Sequence, residues 1–255
     1  MKKYFNVLLE LDSNRVDEMI QATIARKGKG YVCSVESNNL TYANNRPDFM
    51  KVMNEATVNI CDGSNIAWLL GKIHRKPYKP YIGADLFLKY VKMCHYKQYF
   101  LGNTRIVLDG LKENLSRIDP EINQMPFEEL PFLPVNEFDY PGIASKINRE
   151  QPDIIWISLG APKQEQFMNL LLPHLDQGVM FGFGAIFNFN AGVGTVKRAP
   201  RWMLNLRLEW LYRAIEEPKK NIPRYWNFIK ILPRLIHDER KKRDTVRNSK
   251  IHSMQ

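Results

Sequence analysis

The sequence predicts an α/β protein with a mostly parallel, doubly wound sheet, on two observations. Short β-branched or aromatic runs alternate with amphipathic stretches of helical length along the first three quarters of the 255-residue chain, which is the spacing of βαβ units. Several of these runs, Ile154-Ile155-Trp156-Ile157 among them, are apolar without a break, as strands covered on both faces must be. Tyr4–Leu9 is the first strand candidate and Ser13–Lys27 the helix after it. Tyr31–Val35, the helix Pro47–Ala56 and the strand Thr57–Cys61 follow. Helical patterns near Ser64–Leu70 and Ala84–His95 precede the strand Gln98–Leu101. The helix Thr104–Arg117 comes next, then a Pro-, Glu- and Phe-rich stretch from Asp119 to Asp139 without a period, which reads as a surface loop or an edge hairpin. The series ends with helix Phe138–Glu150, strand Ile154–Leu159, helix Pro162–Leu175 and strand Val179–Phe183.

Composition narrows the function classes. At 44% hydrophobic residues the chain has ample material for a core. No apolar run reaches the roughly 18–20 residues that span a bilayer, and the first residues lead into a strand rather than a signal segment. A soluble, intracellular body is expected. The three cysteines, Cys33, Cys61 and Cys94, are far apart, and the five histidines are scattered without metal-ligand spacing, so neither a disulfide framework nor a Cys/His metal site is expected.

Charge is distributed unevenly. The net charge is +10, yet residues 1–196 hold 21 Lys and Arg against 21 Asp and Glu, so the whole excess lies in residues 197–250, with 16 basic and 6 acidic side chains. Such a segment is built to meet something anionic. After Pro200 the pattern also changes to longer helices, Trp202–Glu217 and Tyr225–Glu239, interrupted by Pro218, Pro223 and Pro233. The expected organisation is a body over residues 1–196, a basic amphipathic appendage over 197–239 and a mobile basic tail over 240–255.

In an open parallel sheet, ligands bind outside the carboxyl ends of the strands. The residues there are Ser34 and Glu36, then Asp62-Gly63-Ser64-Asn65, Gly102-Asn103-Thr104, Gly160 to Glu165, and Gly184 to Asn190. Three of these turns carry Gly just before a helix, where free N–H groups favour phosphate. Neither a dinucleotide fingerprint nor a P-loop is present. Asp62 follows an apolar strand and precedes Gly63, so it reads either as a general base in a cleft or as a helix N-cap.

Four segments then carry a resemblance. They are Ile60-Cys61-Asp62-Gly63, Ile157-Ser158-Leu159-Gly160-Ala161-Pro162-Lys163-Gln164-Glu165, the run Phe181 to Gly192, and Lys197-Arg198-Ala199-Pro200-Arg201-Trp202 with Leu208-Glu209-Trp210-Leu211-Tyr212-Arg213 and Glu217-Pro218. In order and spacing, from about residue 30 to residue 220, the chain resembles the WecG/TagA/CpsF glycosyltransferases (glycosyltransferase family 26). The resemblance implies a Rossmann-like body with helices on both faces of the sheet and a C-terminal helical appendage that meets the membrane. It implies an inverting transfer, without a metal or other cofactor, from a UDP-sugar donor to a sugar carried on polyprenyl diphosphate, in the assembly of a bacterial surface polysaccharide such as capsule, exopolysaccharide or wall polymer. Asp62 stands at the family's proposed base and Gln164 in its active-site pocket.

The expected roles follow. Asp62 is the base, and Gln164 and Asn188 orient hydroxyls. Ser34, Glu36, Gly102, Asn103, Gly160 and Lys163 lie at the nucleotide and sugar. Arg198, Arg201, Arg213, Lys219, Lys220 and Arg224 meet the acceptor diphosphate or the lipid surface. Ile222, Trp226, Ile229 and Leu232 share a helical face and read either as a membrane stripe or as packing onto the body or a second copy, so a homo-oligomer stays open. The expected location is the inner face of the cell membrane. The chain departs from the family pattern with Ser34-Val35-Glu36 in place of Thr-x-Asn and with Asn188 in place of Asp, which leaves the donor open and motivates a catalytically silent, UDP-sugar-binding alternative. A nucleic-acid-binding reading of the basic segment lacks any recognised reader motif, and no nucleic-acid partner is expected.

Overall fold

The sheet is parallel throughout because the chain leaves each strand by a helix or long loop before it returns. The computed structural model describes residues 1–193, 199–200, 202–203, 206 and 208–252, with side chains to residue 245. A small hairpin, β1 (Lys2–Tyr4) and β2 (Val7–Leu9), precedes α1 (Ser13–Ala25) and β3 (Lys29–Val35). Then come α2 (Ser37–Asn45), α3 (Pro47–Glu55), β4 (Val58–Cys61), α4 (Ser64–His74) and α5 (Gly83–Val91). β5 (Gln98–Gly102), α6 (Arg105–Ser116), β6 (Phe127–Glu128), α7 (Tyr140–Glu150) and β7 (Ile154–Ser158) follow. The body ends with α8 (Lys163–Leu171), β8 (Gly178–Gly182) and α9 (Gly184–Ala191). Beyond it lie α10 (Glu209–Glu216) and α11 (Pro218–His252). The six-stranded sheet has the order β4-β3-β8-β7-β5-β6, and every pair in it is parallel.

Period-two alternation builds two cores on that sheet. Tyr31, Cys33, Val35, Tyr99, Leu101, Ile155, Ile157 and Met180 face one way, into a core closed by α2, α3, α4, α7, α8 and the middle of α11. Val32, Phe100, Ile154, Trp156, Val179 and Phe181 face the other way, into a core closed by α1, α5, α6 and α9. Both faces are covered, so the α/β, Rossmann-like expectation holds, and the apolar runs in the sequence have their cause.

Several elements differ from the sequence reading. Tyr4–Leu9 is not one strand: Phe5 and Asn6 both take positive φ, 46° and 69°, and fold the segment into an antiparallel hairpin. α2 has no counterpart among the expected helices, because its sequence Ser-Asn-Asn-Leu-Thr-Tyr-Ala-Asn-Asn is rich in poor helix formers. Asp119–Asp139 contributes a short edge strand, β6, parallel to β5 rather than a hairpin. The expected helix Tyr225–Glu239 and most of the expected mobile tail form one helix, α11, which starts at Pro218, carries Pro223 and Pro233 inside it and continues to His252. The carbonyls those prolines leave unbonded belong to Lys219 and Ile229, both exposed, where water serves them.

α11 is fixed to the body by its middle and the turns that follow. Leu235 is 1% exposed, and Phe228, Ile231 and Ile236 pack against the same core. Glu239, equally buried, accepts from Phe5 N at 2.8 Å and lies 2.9 Å from His74 Nε2. Arg243 donates to the Ile73 carbonyl.

Candidate active site

Register places the first pair of site residues. β3 and β4 align Ser34 with Ile60 and Val35 with Cys61, so the residues just past the two strands emerge side by side. Ser34 Oγ donates to Asp62 Oδ2 at 2.7 Å. The backbone N–H of Gly83, first residue of α5, donates to Asp62 Oδ1 at 2.9 Å. Asp62 does not cap its own helix: Gly63 precedes α4, with no side-chain cap bond. Its carboxylate instead sits on the N-terminal end of α5, one of whose unpaired donors it satisfies. The cap reading is thus corrected: Asp62 serves the N-terminus of α5, not that of the helix that follows it in sequence.

Burial pushes the Asp62 carboxyl above the usual carboxylate range, while the Ser34 and Gly83 bonds pull it back. Glu209 of α10 adds to the upward push and Arg213 of the same helix opposes it. Among the described residues each carboxylate oxygen accepts one hydrogen bond, which leaves a lone pair to take a proton without the loss of either contact. Glu36 lies beside it, also pushed up by burial, bonded to Ser37 Oγ at 3.0 Å, and in the fields of Asp62 and Arg224.

The remaining strand ends are tied to one another. Gly102 has φ +94°, and a Cβ there would lie 2.7 Å from the Ser158 carbonyl, so β5 and β7 meet at their carboxyl ends only because that residue is Gly. Asn103 Oδ1 accepts from Thr104 N, and its Nδ2 donates to Ser158 Oγ at 3.0 Å. Ser158 Oγ in turn donates to the Gly184 carbonyl at 2.8 Å. Gln164 Oε1 accepts from the N–H groups of both Gly160 and Gly184, each at 3.1 Å. Its Nε2 donates to the Gly182 carbonyl at 2.7 Å and to Glu165 Oε1 at 3.1 Å.

These bonds bear directly on the sequence expectations. The carboxamides of Asn103 and Gln164 and the Gly160 N–H are engaged inside the protein, holding loops rather than facing open space. Lys163 lies over the rings of Phe138 and Phe132, 4.9 and 5.3 Å from their centroids. The side chain of Asn188, on α9, is half-buried and makes no hydrogen bond among the described residues.

From the C-terminal part, Arg213 reaches the site. Its guanidinium stacks on Phe189, 5.3 Å from the ring centroid, and Nη2 pairs with Glu209 at 2.8 Å. Burial works against its charge, and Glu209 and Asp62 hold it protonated. Tyr225 of α11 shares the field of Arg213, Glu36, Glu209 and Arg224 and meets Trp210 edge to face. Lys220 pairs with Glu217, and Lys219 is exposed and away from these contacts. Arg198 and Arg201 lie outside the described residues.

Glu209, Phe189, Tyr225, Ser158 and Asn39 were not among the expected site residues, and no role was expected for Glu165. Glu209 and Glu165 stand inside the motifs quoted above, so the signal was present; Tyr225 and Asn39 gave none, because only the fold brings their helices to the sheet edge.

Comparison with known proteins gives the family. The family model described as "Glycosyl transferase WecG/TagA/CpsF family" matches residues 5–245. A Bacillus subtilis (strain 168) protein named N-acetylglucosaminyldiphosphoundecaprenol N-acetyl-beta-D-mannosaminyltransferase is 26% identical over 186 residues, 70% of each chain. Proteins of the same name from Bacillus spizizenii, 28% identical over 70% of each chain, and from Staphylococcus aureus (strain MW2), 23% identical over 74% of this chain and 73% of its own, are also similar. The match spans both the sheet that carries Asp62 and the helices that carry Glu209 and Arg213: this chain belongs to the WecG/TagA/CpsF family of glycosyltransferases.

Proposed function

We propose that the protein transfers a sugar of the N-acetylmannosamine type from a UDP-sugar to a sugar linked by diphosphate to a polyprenol, with inversion and without a metal, at the inner face of the cell membrane. The observation that carries this reading is Asp62: a carboxylate raised by burial, oriented by Ser34 and Gly83, and faced by an arginine from the C-terminal helices. In one step the acceptor hydroxyl attacks the anomeric carbon of the donor. The hydroxyl proton passes to Asp62, the bond from the anomeric carbon to the diphosphate oxygen breaks, and UDP departs from the opposite face. Arg213 and Arg224 supply fixed positive charge for the two diphosphates. The relatives' names support a lipid-linked N-acetylglucosamine acceptor and an N-acetylmannosamine donor; Glu36, a half-buried carboxylate beside the proposed base, is the residue to which a different choice of sugar would trace.

The C-terminal helices support the membrane part of the reading. Trp202, Leu206, Trp210, Ile215, Ile222, Trp226 and Ile229 are all exposed, interleaved with Lys219, Lys220, Arg224 and Lys230. Among the described residues no helix is long and apolar enough to cross a membrane, so this surface is suited to lie in the interface.

The test is UDP release on a lipid-linked N-acetylglucosamine diphosphate acceptor, with UDP-ManNAc, UDP-ManNAcA, UDP-glucose, UDP-galactose and UDP-GlcNAc offered separately, with and without EDTA. Release from one donor that survives EDTA is expected, and Asp62→Asn should lower its rate at least about a hundredfold. Near-normal turnover by that variant would remove Asp62 from the role of base.

A further inference from the structure

Glu165 is the most enclosed carboxyl near the site, 0% exposed. Its Oε1 accepts from Gln164 Nε2 at 3.1 Å and from Asn39 Nδ2, on α2, at 3.0 Å. Its Oε2 is buried with no hydrogen-bond partner among the described residues, a costly arrangement of the kind proteins keep at functional sites. Burial pushes the group up to about 7, against the pull of the Gln164 and Asn39 bonds, with Glu36 adding to the rise.

What Glu165 holds is more telling than its own state. A carboxamide can flip end for end, and the Gln164 amide has work at both ends: Oε1 gathers the Gly160 and Gly184 N–H groups, and Nε2 bonds the Gly182 carbonyl. Glu165 Oε1 already accepts from Gln164 Nε2 and Asn39 Nδ2 and stays an acceptor with a proton on Oε2 as without one, so it removes the flipped alternative, in which two oxygens would face each other. Gly184 leaves no slack, since a Cβ there would lie 2.7 Å from Gly160 N. Asn39 extends the same anchor to α2, which begins just after Ser34 and Glu36.

We propose that Glu165 is a positioning residue for the transfer: by accepting from Gln164 and Asn39 together, it sets the direction of the Gln164 carboxamide and thereby the spacing of the β3, β7 and β8 ends around the donor. The role rests on the transferase reading above. Its reach is wider than a core contact, because the three loops it joins carry Glu36, Gly160 and the start of α9, the helix that presents Asn188 and Phe189.

Two substitutions separate this role from simple core filling. Glu165→Met keeps chain length and removes the acceptor. Glu165→Gln keeps an oxygen in the Oε1 place and puts an amide only where Oε2 has no partner now. Hydrogen exchange at the Gly160 and Gly184 amides reports the Gln164 contacts without any substrate. In Glu165→Met, exchange at these two amides should accelerate at least about tenfold while the strand amides stay protected, and kcat should fall at least about tenfold with the donor KM changed less. Glu165→Gln should stay within about threefold of the parent on both readouts. Unchanged exchange and kcat in Glu165→Met would overturn the proposal. So would equal damage from both substitutions, or a loss of protection spread evenly over the sheet. If Glu165→Met does not fold, Asn39→Ala carries the same test, with a smaller change at the same two amides expected and no change at either overturning the role. A parent protein that transfers no sugar, with the exchange pattern as expected, would overturn the proposed reaction and leave the loop-positioning contact standing.

Discussion

Ser34 shows how much of the chemistry depends on one hydroxyl. It donates to Asp62 Oδ2 and so favours the ionised carboxylate, against the upward push of burial. Removing it takes away a downward contribution, so in Ser34→Ala the Asp62 carboxyl moves further up. In the proposed reaction Asp62 takes a proton and so acts only when ionised, and the acid limb of the kcat/KM profile should therefore move to higher pH. At a pH on that limb the rate should fall about tenfold, in keeping with a hydrogen bond to a charged group, and recover in part as pH rises. A pH–rate profile checks this, and an unshifted acid limb would mean that the limb belongs to another group. The sequence made Asp62 legible, because an acid after an apolar strand and before Gly falls at a sheet edge. It did not make Gln164 or Asn103 legible in the same sense. Their position at that edge was plain, but which way a carboxamide points depends on partners contributed by β7, β8 and α2, and no local pattern encodes those.

The helix α11 carries the main lesson at the level of elements. Two prolines inside it argue for a break on local grounds, and the packing of Phe228, Ile231, Leu235 and Ile236 on the body overrides them. The hairpin was obscured in the opposite way: Phe5 gives no turn signal, and its positive φ is held by tertiary contacts. Glu239 joins these two misread elements. Its carboxylate takes the Phe5 N–H and meets His74, with Lys242 Nζ 3.8 Å away and bonded to Asn6 Oδ1. Glu239→Ala leaves a buried N–H unpaired and removes one of two ties between helix and hairpin, the Lys242–Asn6 bond remaining. A loss of about 1–3 kcal/mol is expected, read as a fall in Tm of roughly 2–4 °C for each kcal/mol in a chain of this size. Donor affinity should change little, because the clasp lies at the far half of α11 from Arg213 and Tyr225. Thermal melting with and without UDP measures both. A Tm equal to the parent's would show that the clasp adds nothing to the packing around Leu235.

For the molecule as a whole, charge and exposed apolar surface are both distributed unevenly along the chain. The body is neutral, with 21 charges of each sign through residue 196, and the excess of ten positive charges begins after it. The exposed tryptophans of the C-terminal part, Trp202 (60%), Trp210 (44%) and Trp226 (59%), lie in the same stretch, and Trp210 touches Tyr225 within the cluster that reaches Asp62 and Glu36. A surface that binds anionic lipid through Lys and Arg gains up to about 1 kcal/mol for each basic residue near the headgroups, and buried Trp and Ile add an apolar part that salt does not screen. The two contributions separate experimentally. Lys219→Glu with Lys220→Glu should weaken binding to vesicles containing anionic lipid, most at low salt, and have little effect on neutral vesicles. Trp226→Ala with Ile229→Ala should weaken binding at every salt concentration. Neither pair lies on Asp62, so transfer to a short-chain, water-soluble acceptor should stay within about threefold of the parent while transfer to a full-length polyprenyl acceptor in vesicles falls at least about tenfold. Flotation with vesicles and the two transfer assays together test the reading. Equal losses on both acceptors would instead place these side chains in the catalytic assembly, with the apolar face serving the body rather than the bilayer.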